Sequence, residues 1–152
     1  DIGNADPRAL QLCLNAWEVQ ERLGSPEGEL AIAQAIIYLA AAAKSNAVYS
    51  AFSSAQQDAS AASLDVPMHI RNAPTQMMKE MGYGDDYQYA HNFDDAFVPG
   101  ENYFPEALHE QHYYHPVNRG MEIQIAEKLN SLRNLNKKSE FQRYGKKPKQ
   151  PG

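Results

Sequence analysis

The first third of the chain carries large apolar residues at intervals of three and four positions, the spacing that places them along one face of an α-helix. Leu10, Leu14 and Trp17 form the first such stripe. It follows Asp6 and Pro7, a pair typical of a helix start because aspartate caps free N–H groups and proline suits the first helical position. The pattern predicts a helix that begins at this pair.

Two more helices are predicted directly after the first. Gly24 is a typical helix end, and Ser25-Pro26 and Ser45 are typical starts of the helices that follow. Of the 21 alanines in the chain, 16 lie within residues 1–62, and small side chains let helix backbones approach closely. We therefore expect three alanine-rich helices in an antiparallel stack.

The middle of the chain is less regular. Residues 65–71 are expected to be extended, and either Asn72 or Thr75 is expected to cap a short helix. Residues 83–118 contain six of the nine tyrosines and three prolines, with weak helical spacing. They predict a long irregular segment with one or two turns of helix after Pro105.

Helical spacing returns after Gly120 and predicts a final helix. Residues 137–152 contain lysines and two prolines with few apolar residues, which predicts a flexible basic tail. Because no segment shows strand-like alternation, the fold class is predicted to be all-α. The apolar stripe of the final helix consists of Met121, Ile125, Leu129, Leu132 and Leu135.

Composition excludes several classes of protein. Hydrophobic residues make up 43% of the chain, enough for a folded core. The longest apolar run, residues 35–43, is far shorter than the roughly 20 residues of a membrane-spanning helix. The single cysteine, Cys13, cannot form an intramolecular disulfide. These features predict a protein of a reducing, cytoplasmic compartment with no membrane partner.

The net charge of −5 hides a strong asymmetry. Residues 1–126 have a net charge of −11, whereas residues 127–152 have a net charge of +6. The basic end is either a contact surface for nucleic-acid phosphates or a solvated terminus, and composition alone favours neither. The candidate DNA contacts are Lys128, Lys137, Lys138, Arg143, Lys146, Lys147 and Lys149.

Three histidines, His109, His112 and His115, lie within seven residues and could hold zinc or a similar metal. Their spacing of three differs from the spacing of four that helical metal pairs use more often. We therefore interpret them as histidines of an aromatic loop, with no metal site. The acidic pairs Asp85-Asp86 and Asp94-Asp95 are similarly interpreted as loop charges and caps, because they lack the spacing of a calcium loop.

The sequence contains no phosphate-binding loop of the GxxxxGK[ST] or GxGxxG type and no GxSxG nucleophile motif. Cys13 lies on an apolar helix face, where cysteine is more often a small core residue than a nucleophile. No catalytic residue and no cofactor site are therefore expected within this chain.

Eight ordered strings give the chain a specific resemblance. In this order they resemble the C-terminal part of the replication-associated recombination protein A family of AAA+ ATPases. That family includes maintenance-of-genome-stability protein A and the Werner-helicase-interacting protein. The strings are DIGNADP (1–7), AQAIIYL (33–39), KSNAVY (44–49), VPMHIRNAPT (66–75), MKEMGYG (78–84), YQYAH (87–91), YFP (103–105) and YYHPVNRG (113–120).

The resemblance implies a helical oligomerisation domain related to those of clamp loaders. It implies the end of the ATPase lid or a connector helix at residues 1–24, the oligomerisation domain at 25–136 and the basic tail at 137–152. Since the chain begins at Asp1 without methionine, we expect it to be a piece of a longer protein. The ATP and Mg²⁺ site is then expected upstream, so this piece alone is not expected to hydrolyse ATP.

The function implied is that of a C-terminal homotetramerisation domain. The parent ATPase would act in DNA replication, recombination and repair at stalled or gapped forks. Its expected partners are single-strand/duplex DNA junctions and single-strand-binding protein, with a location at the bacterial nucleoid. The alternative is a helical adaptor that binds DNA or single-strand-binding protein through the basic end. A small metallohydrolase built on the three histidines is the remaining alternative.

Overall fold

The computed structural model describes residues 1–145, and helices are the regular elements of this part of the chain. Between and before them lie five short 3-10 turns, and residues 1–145 contain no β-strand. The prediction of an all-α fold is confirmed. The helices are α1 (Arg8–Leu23), α2 (Glu27–Ala41), α3 (Ala47–Ala61), α4 (Gln76–Glu80) and α5 (Glu122–Lys138).

The helix starts follow the capping chemistry of the sequence. Asp6 Oδ1 accepts a hydrogen bond from the Arg8 backbone N–H at 3.2 Å, and Pro7 already has helical dihedral angles. Ser45 Oγ accepts from the Ala47 N–H at 3.1 Å at the start of α3. Thr75 Oγ1 accepts from the Met78 N–H at 3.3 Å, so Thr75, and not Asn72, caps α4.

The described chain forms two compact units, each built from two stretches of sequence. The first unit comprises residues 1–58 and 112–128, and the second comprises residues 59–111 and 129–145. Helix α5 contributes its first part to one unit and its second part to the other. The expected domain boundaries at residues 24 and 136 stay a prediction.

Within the first unit, α1 and α2 pack against each other through small residues. Ala16 of α1 and Ala35 of α2 are buried. A Cβ atom at Gly28 would lie 2.6 Å from the Cα atom of Gln20, so only glycine allows the two helices to approach this closely. The close approach that the alanine-rich sequence predicts is therefore present in this helix pair.

Helix α3 does not continue this stack, and the predicted three-helix stack is wrong. Among the described residues, α1 and α2 are the only two α-helices in extensive contact. Instead, α3 is held by the segment that precedes α5 and by the first residue of α5. Tyr113 donates its hydroxyl to Asp58 Oδ2 at 2.8 Å near one end of α3, and Ser45 donates to Glu122 Oε1 at 2.9 Å at the other.

The second unit consists mainly of turns and loops. The expectation that residues 65–71 are extended holds only in part, because Met68–Ile70 form a 3-10 turn. After Pro105 there is a single 3-10 turn, Glu106–Leu108, in agreement with the predicted turn of helix. The remainder of residues 83–111 is irregular apart from two further 3-10 turns, Ala90–Asn92 and Asp94–Ala96.

The beginning of the predicted flexible tail is ordered, which corrects that expectation for residues 137–145. Lys137 and Lys138 belong to the last turn of α5. The residues that follow are bonded to the loop at residues 99–104, because Ser139 Oγ donates to the Pro99 carbonyl at 2.9 Å and the Arg143 N–H donates to the Gly100 carbonyl at 3.0 Å. Residues 146–152 of the predicted tail lie outside the described residues.

Candidate assembly surface

The packing of the first unit leaves large apolar side chains on its exterior. The buried apolar residues of this unit are mostly alanines, whereas Leu10 of α1 is 69% exposed and Trp17 is 67% exposed. Leu14 lies between them on the same stripe and is also exposed. The stripe predicted along one face of this helix therefore faces outward, because α1 meets α2 through its alanine face.

Helices α2 and α3 show the same arrangement. Leu30 and Ile37 are spaced seven residues apart on α2, and Ile37 is 71% exposed. On α3, Tyr49 is 75% exposed and Phe52 is largely exposed as well. Single exposed apolar residues are normal. Many large exposed apolar residues on the same three helices are typical of an interaction surface.

Two hollows accompany the exposed helix faces. A cleft of about 310 Å³ lies between α1 and α2 and is almost entirely apolar. A second hollow of about 580 Å³ is lined by the N-terminal residues together with Leu10 and Leu39. Both lie within the first unit and Cys13 lines both of them, but the second also has the polar residues Asp1, Asn4, Asp6 and Lys44 in its lining. The larger members of the first lining are Trp17, Ile32, Ile36 and Leu39.

A hydrogen-bonded group of polar side chains fixes the N-terminal edge of α1. Asp6 accepts hydrogen bonds from the Arg8 guanidinium at 3.1 Å and from the Tyr38 hydroxyl at 2.5 Å. These bonds, the one from Arg8 first, lower the pKa of Asp6 to about 2. The group therefore links the start of α1 to the last turn of α2.

A buried carboxylate holds the remainder of the first unit together. Glu122, the first residue of α5, has no exposed surface, and its two oxygens accept from Ser45 Oγ at 2.9 Å and from the Val117 N–H at 2.6 Å. The Tyr114 hydroxyl accepts from the Asn4 amide at 3.2 Å, and burial raises the pKa of Tyr114. Acidic residues are common at helix starts, so the position of Glu122 in the sequence does not indicate that it accepts these two buried hydrogen bonds.

The candidate DNA contacts do not all lie on free surface. Lys128, Lys137 and Lys138 are exposed, the first in one unit and the other two in the second unit. Arg143 is only 10% exposed in its side chain and is paired with Glu101 and Asp86. Lys146, Lys147 and Lys149 lie outside the described residues.

The histidine segment has local contacts. His109 Nδ1 lies 2.6 Å from the Glu106 carbonyl oxygen, and its ring contacts the edge of the Tyr144 ring. Within residues 1–145, no three His, Cys, Asp or Glu side chains are placed to hold a metal ion. In the same residues, no helix is both long and apolar enough to cross a membrane.

Comparison with known proteins agrees with the resemblance carried by the sequence strings. Replication-associated recombination protein A of Coxiella burnetii is 61% identical over 137 residues, which cover 90% of this chain and 31% of that protein. The Escherichia coli K12 protein of the same name is 54% identical, with coverage of 95% and 32%. ATPase WRNIP1 of Dictyostelium discoideum is 42% identical, with coverage of 75% and 13%.

The chain thus spans about a third of the length of the bacterial relatives that it matches. Residues 1–133 match the family described as MgsA AAA+ ATPase C terminal. Since this match covers most of the chain, the chain belongs to the MgsA AAA+ ATPase C-terminal family.

Proposed function

We propose that this chain is the self-assembly domain of a AAA+ ATPase and that it joins four copies into a homotetramer. The observation that carries the proposal is the outward-facing apolar surface of α1, α2 and α3 in the first unit. Burying one large apolar side chain contributes about 1.5–3 kcal/mol, so several of them can support a stable interface. A second copy of the chain offers the same surface and is the simplest partner for it.

We further propose that the parent protein acts on DNA during replication and recombination. Support comes from relatives named replication-associated recombination protein A, which are 54–61% identical to this chain. The acidic balance of residues 1–126 does not suit contact with phosphates, so within this chain the contacts are assigned to the exposed Lys128, Lys137 and Lys138. Single-strand-binding protein is proposed as a partner of the full-length protein.

The sequence contains no phosphate-binding loop of the GxxxxGK[ST] or GxGxxG type. We propose that ATP and Mg²⁺ bind in the region of the longer relatives that this chain does not match.

The assembly proposal is tested by measuring the mass of the chain in solution. At about 50 μM, above the micromolar Kd of ordinary interfaces, sedimentation equilibrium or native mass spectrometry is expected to show a tetramer. Trp17→Glu places a charge on the exposed stripe and is expected to weaken assembly by about 2 kcal/mol or more, as at interface hot spots. Because Trp17 is exposed, helical circular dichroism should be unchanged.

Asn15→Glu is the matched control, since it adds the same charge to the same helix away from the stripe. It is expected to leave the tetramer intact. A wild-type chain that stays monomeric at this concentration would contradict the proposal. So would a tetramer that tolerates both Trp17→Glu and Tyr49→Glu, because the assembling surface would then lie elsewhere.

A further inference from the structure

The Arg143 side chain is completely engaged by acidic partners of the second unit. Its Nε and Nη2 atoms donate to the two carboxylate oxygens of Glu101, both at 2.7 Å. Its Nη1 donates to Asp86 Oδ2 at 2.9 Å and its Nη2 to the Asp86 carbonyl at 2.7 Å. The Glu101 side chain is only 2% exposed, so this is a desolvated, two-pronged ion pair and not a surface contact.

Residues 139–144 also make backbone contacts along the same loop. The Arg143 N–H donates to the Gly100 carbonyl, and the Tyr144 hydroxyl donates to the Phe104 carbonyl at 2.6 Å. The Gly100 N–H in turn donates to Asn136 Oδ1 at 2.9 Å. The contacts therefore extend over residues 99–104 and include the last part of α5.

The approach of the two backbones is closest at Gly100. A Cβ atom at this position would lie 2.8 Å from the carbonyl carbon of Phe141, and the φ angle of Gly100 is +84°. A side chain would therefore push residues 139–144 away from the loop and would also strain the backbone. The close contact between residues 139–144 and the loop therefore requires glycine at position 100.

The charge pattern explains why a cation is needed here. Residues 83–111 contain seven Asp and Glu residues and no Lys or Arg, so the segment cannot neutralise itself. Within residues 83–111 and 139–145, Arg143 is the single Lys or Arg. Like charges held in a compact loop repel each other, and a desolvated carboxylate needs a partner of opposite charge.

We propose that residues 139–144 are a C-terminal strap that closes over the acidic segment, residues 83–111, and that strap closure determines whether this segment is ordered. The segment contains single 3-10 turns but no α-helix of its own, so bonds from outside it add to the order that these turns provide. Arg143 then serves as the anchor of the strap and is not available as a DNA contact while the strap is closed. This inference is independent of tetramer formation.

Hydrogen–deuterium exchange of the full chain, resolved by peptide mass spectrometry, tests the strap. Arg143→Gln is expected to speed exchange of amides in residues 99–104 by about tenfold or more, because a buried carboxylate loses its cation. Arg143→Lys keeps the charge but loses the planar fork, so an intermediate increase is expected. Peptides from α1 and α2 should exchange as in the wild type.

Lys138→Gln is the matched control, since it removes one exposed positive charge whose side chain makes none of the strap bonds described above. Its exchange should equal that of the wild type. Unchanged exchange in Arg143→Gln would overturn the proposal, and so would equal effects of Arg143→Gln and Lys138→Gln. If Arg143→Gln fails to fold, local opening in Arg143→Lys and Gly100→Ala still supports the strap, and its absence in both contradicts it.

Discussion

The two units of the chain each contain one deeply buried glutamate, and the two glutamates are stabilised in different ways. Glu122 in the first unit accepts hydrogen bonds from the neutral donors Ser45 and Val117. Glu101 in the second unit is paired with the Arg143 guanidinium, and His69 Nε2 lies 3.5 Å from it. The first unit thus buries its carboxylate with neutral groups, and the second buries its carboxylate with a cation.

This difference corresponds to how each unit obtains its order. The first unit is mainly helical, so its backbone bonds are satisfied locally and a few side-chain bonds suffice to place α3 and α5. Its large apolar side chains are exposed. The local backbone bonds of the second unit mostly close single turns. Side-chain contacts between distant segments therefore contribute more to its order. We infer that the first unit is suited to assembly and the second to conformational control.

The largest effect on this comparison is expected from Glu122→Ala. Truncation removes the acceptor of the buried Ser45 hydroxyl and of the partly buried Val117 N–H. Each stranded donor costs about 1–3 kcal/mol, so the free energy of unfolding should fall by about 2–6 kcal/mol. Chemical denaturation followed by circular dichroism measures this loss.

Glu122→Gln distinguishes hydrogen bonding from charge at the same position. The amide oxygen can accept from Val117, and the Ser45 hydroxyl can rotate to accept from the amide nitrogen. We expect a loss of about 1 kcal/mol or less. A loss as large as that of Glu122→Ala would show that the negative charge itself is required, which would remove the contrast between the two glutamates.

The helices of this fold could be predicted from the sequence because their signals are local. Gly24 and Thr75 end or cap helices through bonds to residues within four positions, and short-range patterns reveal such bonds. Ser45 was predicted as the cap of α3, but its bond to Glu122 spans 77 residues and has no local signature. Sequence separation therefore sets the limit of what could be predicted.

The candidate sites show the same limit. The exposed stripe of α1 was predicted as a helix face, but its outward direction depends on the alanine face being the one that meets α2. Arg143 was predicted to be a mobile DNA contact because the composition around it is basic and polar. Its acidic partners, Glu101 and Asp86, lie 42 and 57 residues earlier in the chain.

A smaller effect is expected from acid in the second unit. Burial alone would raise the pKa of Glu101, but hydrogen bonds from Arg143 and the Asn102 backbone, with the nearby His69, lower it overall. A folded-state pKa below the ordinary 4.5 means that the stabilisation is complete above that pH and is lost as the pH falls through the lowered pKa. Exchange of residues 99–104 should therefore increase in acid.

Glu101→Gln is the control for the acid effect, because glutamine does not titrate. In this variant, amides of residues 99–104 should already exchange faster than in the wild type near neutral pH. Acidification should then increase their exchange little further, because position 101 no longer titrates. Tyr103 and Tyr144 also face the pair, but they remain neutral in this range since burial raises the pKa of each. An acid response of equal size in the wild type and in Glu101→Gln would assign it to another group.

The smallest expected effect lies at the N-terminal edge of α1, where Tyr38→Phe removes one of the two side-chain donors to Asp6. The pKa of Asp6, about 2 in the folded chain, should rise but stay below 3.8, because Arg8 is the larger cause of the shift. The variant therefore separates the two donors without removing the cap. NMR titration of the Asp6 carboxyl carbon measures the change directly. A pKa that returns fully to 3.8 would show that Tyr38, and not Arg8, holds the carboxylate, and that the link between α1 and α2 controls the start of α1.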